Sequence, residues 1–228
     1  MTVHLPVSTL LALTPLFAAC DMEPAEVLDA PRVLAVRTEP AALSPGEPHV
    51  LEALAFTPPD RAPAELAWSA CPVAWRPTDP PTCPDDGAIT LGRGNPLTAT
   101  LPSELDSLWL RVEPVDGAAL PAMKRLEAGV EAENPSARGV ATPAGELPGT
   151  ITVGAPLELV ITLGGDADPS ALVVSWYVTA GELEPARTLA SDPATLVADA
   201  PGPLEVIAVV REPGGGTAWT SARFEVTP

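Results

Sequence analysis

The chain has 228 residues, of which 30 are acidic and 12 basic, for a formal net charge of −18. So acidic a protein repels phosphate backbones, which excludes nucleic-acid binding as its main task, and two histidines with three cysteines leave little for metal or acid–base chemistry. Thirty prolines and 17 glycines punctuate a composition that is 46% apolar, enough for a core built from short elements.

Residues 1–20, MTVHLPVSTLLALTPLFAAC, carry no Asp, Glu, Lys or Arg and run apolar from Leu5 to Ala19. The run falls short of the ~20 apolar residues of a comfortable membrane span. It fits the apolar region of a secretory signal that ends in small residues. Its last four residues, Phe17-Ala18-Ala19-Cys20, resemble the lipobox of bacterial lipoproteins. That resemblance implies a signal peptide over 1–19 and a lipidated Cys20 as the first mature residue. Phe17, where the family usually has Leu, and His4, in place of a basic residue, depart from its pattern. The competing reading is an ordinary secretory signal that leaves Cys20 as a thiol, but a cysteine directly after the small residues favours the lipid. Several acyl chains would anchor the protein firmly where one gives only marginal binding. Residues 21–30, DMEPAEVLDA, hold four acids, no base and one proline, and read as a tether. The expected location is the cell envelope, at the outer membrane or cell surface. Asp21 directly after the cysteine is, in enterobacteria, a signal for inner-membrane retention, so the periplasmic face of that membrane is the alternative.

With Cys20 assigned to lipid, Cys71 and Cys83 remain, and a pair in an exported protein is most simply a disulfide. The loop it would close, CPVAWRPTDPPTC, has 13 residues. Closure of that size is worth about 3 kcal/mol, less here because prolines already stiffen the loop. A metal site would need four nitrogen or sulfur ligands, and only His49 is at hand.

Beyond the tether, short apolar runs alternate with polar residues and are separated by Pro, Gly and Asp clusters. No window sustains a helical apolar repeat free of proline. Strands are predicted over 32–38, 49–57, 64–70, 88–91, 97–101, 108–114 and 123–132, and then over 139–142, 156–163, 172–180, 194–198, 203–212 and 217–227. Alternation is clearest where Leu172, Val174, Trp176 and Val178 point one way, and where Ala222, Phe224 and Val226 alternate with Arg223 and Glu225. One apolar and one wet face is the pattern of antiparallel sheet. Turn signals every 8–15 residues give an all-β fold. Two sets of about 90–100 residues give two tandem immunoglobulin-like β-sandwiches, 31–132 and 133–228. Pro45-Gly46 makes one turn, and the 212–216 segment, EPGGG, makes a hairpin.

The segments PRVLAVRTEPAALSPGEP, VSWYVTAGELE and PLEVIAVVREPGGGTAWTSARFEV resemble the lipid-anchored, Ig-like proteins abundant in myxobacterial genomes. The resemblance implies an architecture, with Trp176 on a central strand packed against the opposite sheet, and says little of function.

His49 is the only histidine of the exported part, and no G-x-S-x-G elbow accompanies it, so it reads as an exposed residue at a strand end. Gly92-Arg93-Gly94 is a turn rather than a phosphate loop. Asp85-Asp86 and Asp166-Ala167-Asp168 offer oxygen ligands to calcium but miss the calcium-loop pattern, so they read as solvated turn acids. No catalytic residue, cofactor or metal site is expected. Of five tryptophans, Trp68, Trp109 and Trp176 sit in alternating runs and read as core, and Trp219 is open to either reading. Trp75 lies in the cysteine loop beside Arg76. Two readings of it remain, a binding hot spot of the residue types that concentrate there, or a cap folded back on the sandwich. The chain is therefore expected to be a non-catalytic envelope lipoprotein, structural, adhesive or protein-binding, held to the membrane by lipid on Cys20. Its partner would be an envelope protein or a glycan. A glycan- or calcium-binding surface protein is the alternative, and behind it an accessory subunit of an envelope hydrolase.

Overall fold

The computed structural model describes residues 26–72, 87–117 and 121–228. Among them there are strands and turns but no helix, and hence no helix long and apolar enough to cross a membrane. The first seven strands are β1 (Arg32–Glu39), β2 (Pro48–Phe56), β3 (Leu66–Pro72), β4 (Ile89–Arg93), β5 (Leu97–Thr100), β6 (Ser107–Pro114) and β7 (Ala122–Glu127). The rest are β8 (Ser136–Ala141), β9 (Thr150–Thr152), β10 (Pro156–Gly164), β11 (Val173–Val178), β12 (Glu182–Glu184), β13 (Arg187–Leu189), β14 (Ala194–Val197), β15 (Gly202–Arg211) and β16 (Thr217–Thr227).

The first seven form two antiparallel sheets, ordered β1-β2-β5 and β4-β3-β6-β7. Their facing residues, among them Leu51, Leu66, Trp68, Leu101, Leu108, Leu110, Val112 and Leu126, make one core. The other nine form sheets β12-β14-β10-β8 and β13-β11-β15-β16-β9 around a second core of Leu159, Val174, Trp176, Leu196, Val206, Ala208 and Phe224. Two packed sheets with alternating inward residues are the plan of an immunoglobulin-like sandwich, and the chain holds two in tandem. In each, a tryptophan on the third or fourth strand of its set fills the centre. Trp68 and Trp176 are both about 1% exposed. Burial of an indole needs a partner for its N–H, and both have one: Trp68 Nε1 donates to the Gly94 carbonyl at 2.8 Å, and Trp176 Nε1 to Thr188 Oγ1 at 2.9 Å.

Local chemistry explains the irregular places. β4 and β5 lie in opposite sheets, and the crossing is fixed by Asn95, whose amide accepts from Ala53 N–H at 2.8 Å and donates to Ala53 O at 2.7 Å. The side chain thus imitates one more residue of β5 in its ladder with β2. Gly181, at φ +82°, brings its Cα against β14, where an added Cβ would lie 2.4 Å from Val197 O. β9 adds to β16 in parallel through Ile151 and Val226 and covers that sheet's edge.

Four expectations need correction. The strand predicted over 123–132 ends at Glu127, and 128–135 is linker. β9, β12 and β13 were not predicted; each has three residues, too few to display an alternation. Residues 26–28 are not free tether: Leu28 N donates to Val178 O at 2.8 Å, Val178 N to Glu26 O at 2.9 Å, and Leu28 is buried. Trp109 is half-buried on the outer face of β6, because Leu108, Leu110 and Val112 hold the inner one.

Candidate functional site at the joint between the sandwiches

Two strands break the one-wet-face rule. Val33, Leu34, Ala35 and Val36 of β1 are all buried, and so are Val206 to Val210 of β15. Val33 and Val36 fill the first core, whereas Leu34 and Ala35 point the other way. A register shift between Val33 and Ala35 allows this division. Val206, Ala208 and Val210 fill the second core, while Ile207 and Val209 face outward. These outward residues meet. Leu28, Leu34, Ala35, Ile207 and Val209 form a third apolar cluster, with Leu54, Phe56, Tyr177 and Trp219 packed around it. The sandwiches therefore share an apolar contact of their own. The continuous runs VLAV and VIAVV were its sequence signal, since a strand apolar on both faces is covered on both faces.

A polar set rims this contact. Asn134, in the linker, donates to Thr38 O at 2.8 Å and to Glu39 Oε2 at 2.9 Å, and accepts from Thr217 N–H at 2.9 Å. One side chain so ties the end of β1 to the start of β16. Arg211 donates across the contact to Leu34 O at 3.1 Å and within its own sheet to Ser175 Oγ at 2.8 Å. Arg37 of β1 ion-pairs with Glu52, and its guanidinium carbon lies 4.8 Å from the ring centroid of Trp219 on β16. That resolves Trp219: half-buried, it belongs to the joint. The β15–β16 hairpin tip packs on the linker so closely that a Cβ on Gly216 would sit 1.8 Å from Glu133 O.

At the centre of the rim is Lys124, the only lysine of the chain and 8% exposed. It shares the inward face of β7 with Leu126, and its ammonium donates to Gly215 O of the hairpin tip and to Thr217 Oγ1 at 3.2 Å. Burial, with the Arg211 guanidinium beside it, pushes its pKa down to about 8 against a smaller opposing pull from Glu212. A hollow of about 260 Å³ lies here, lined in part by Leu34, Lys124, Arg125, Arg211, Glu212 and Thr217.

The residues singled out from the sequence lie elsewhere. Cys20, Asp21, Trp75, Arg76, Cys83 and the Asp85-Asp86 pair fall outside the described residues. Cys71 is fully buried near the end of β3. His49 corrects its expectation: it is 0% exposed, on the inward face of β2 with Leu51 and Ala53. Its Nδ1 lies 3.2 Å from Glu47 O, and its Nε2 lies 3.1 Å from Ala42 O and 3.3 Å from Ser44 N. With both ring nitrogens within hydrogen-bond reach of the β1–β2 loop backbone, it is a structural residue. Asp168 is a turn acid, accepting from Ser170 Oγ at 2.8 Å and Ser170 N–H at 2.9 Å, bonds that lower its pKa. Among the described residues no three His, Cys, Asp or Glu side chains converge as metal ligands.

No family model and no curated protein matches the chain. Solved structures do. The fibronectin(III)-like modules of Clostridium thermocellum CbhA align with 13% identity over 85% of this chain and 94% of that one, at a TM-score of 0.34. Murine CEACAM1b aligns with 10% identity over 85% and 100% of the two chains, at 0.31. E. coli alpha-2-macroglobulin aligns with 18% identity over 86% of this chain and 17% of that one, at 0.27. These are likenesses of fold.

Proposed function

We propose that the chain is a non-catalytic lipoprotein of the bacterial cell envelope, in which two immunoglobulin-like sandwiches serve as one structural, adhesive or protein-binding body. The observation that carries this reading is the joint. Its third apolar cluster and the Asn134 and Lys124 bridges hold both sandwiches in one orientation. A body of fixed shape presents a distant surface without the ordering cost that a flexible pair would meet on binding.

The rest of the reading rests on the sequence. FAAC supports lipid on Cys20, with 21–25 left as the short tether between the membrane and the docked residues 26–28. Domain limits at 31–132 and 133–228 are supported by each sandwich drawing its strands from within them. A Cys71–Cys83 disulfide is supported by the burial of Cys71, whose sulfur is already engaged. That bond would staple the loop carrying Trp75 and Arg76 to the end of β3, where we place the contact with an envelope protein.

Affinity purification of the tagged protein from cross-linked membranes, wild type against Trp75→Ala, tests this. A stoichiometric protein partner lost in the variant is the expected result. A partner retained by Trp75→Ala would remove the loop from the interface. The lack of any protein partner in both samples would overturn protein binding and favour a glycan.

A further inference from the structure

We propose that the joint between the sandwiches is a proton-linked latch, tightened when Lys124 of the first sandwich loses its charge against the hairpin tip of the second. Among the described residues Lys124 is the one titratable side chain that crosses the joint while nearly out of water, and its contacts on the far side are a carbonyl and a hydroxyl, Gly215 O and Thr217 Oγ1. Neither carries a charge to balance an ammonium. The charged groups around it are few. Arg211 and Glu212 face it from the second sandwich, and Arg125, its neighbour on β7, is paired with Glu127. β1 adds only Leu34, Ala35 and Val36 to the hollow, and the linker meets the hairpin tip through backbone carbonyls.

A buried ammonium between neutral acceptors, with a guanidinium beside it, is held at a cost that water would remove. Separation of the two sandwiches uncovers Lys124 and returns it to the ordinary lysine value of 10.5, whereas the closed joint holds it at about 8. Between these values the open form binds the extra proton. Raising pH through this window therefore favours the closed form, and below it the charged lysine weakens the joint. A neutral amine keeps two N–H donors for the same two acceptors, so deprotonation removes the desolvation cost and leaves the bonds in place.

The test is amide hydrogen exchange of the full chain at Thr217, whose N–H is bonded to Asn134 Oδ1, the linker side chain that also holds Thr38 O of the first sandwich, corrected for intrinsic exchange at each pH. The opening constant should fall about tenfold between pH 7 and pH 9, following the linkage relation for these two values. Lys124→Met, which carries no proton to exchange, should show a flat profile and a tighter joint at pH 7. Glu212→Gln withdraws the one acid that favours the charged form, so its window should move to lower pH. It also serves if the methionine variant does not fold. An opening constant that is flat in wild type, or pH dependence retained in Lys124→Met, would overturn the latch.

Discussion

At the scale of single residues, the two most polar interior groups are the ones whose surroundings decide what they do. His49 and Lys124 are both buried, and both sit on the inward face of an alternating strand. Histidine finds three backbone partners within its own loop and serves the first sandwich alone. His49→Ala should leave those groups short of partners and lower stability by about 1–3 kcal/mol, read as a shift of the urea midpoint. A midpoint equal to wild type would mean that water replaces the ring without loss. Both positions were legible in principle. The alternation His49, Leu51, Ala53 points the histidine inward, as the alternation Lys124, Leu126 points the lysine. What the alternation does not reveal is which partner waits there, because Gly215 is 91 residues away from Lys124 in the chain.

At the scale of elements, strand positions followed from period two because nearly every strand has one face in a core. Its exceptions mark the joint. β1 and β15 are apolar on both faces, and their second faces meet each other's sandwich. The three-residue strands were invisible for the opposite reason, since Glu182–Glu184 and Arg187–Leu189 bury one side chain each. The β15–β16 hairpin was read from its glycines as a turn, yet two of them have different tasks. Gly215 has φ +113° with open space around it, so it supplies backbone freedom. Gly216 has no room for a Cβ at all, because the linker carbonyl of Glu133 occupies that place. Gly216→Ala should therefore push the hairpin off the linker and abolish slow exchange at Thr217. Gly215→Ala should strain the tip by about 1–2 kcal/mol and keep the Thr217–Asn134 bond. Equal exchange in the two variants would contradict this division.

At the scale of the whole molecule, each sandwich has its own core, and a third cluster with a polar rim holds the two together. The acidic balance of the chain makes that rim notable. Three of its twelve basic residues, Arg37, Lys124 and Arg211, bind across the joint or stack on it, so part of the scarce positive charge is spent where the sandwiches meet. A surface at one end of the pair is positioned relative to the other end only through this junction. The direct test is a set of residual dipolar couplings from the full chain at pH 7, fitted separately for residues 32–127 and 136–227. One alignment tensor that serves both sets is the predicted result. Two tensors of different magnitude and orientation would show independent modules and contradict the joint.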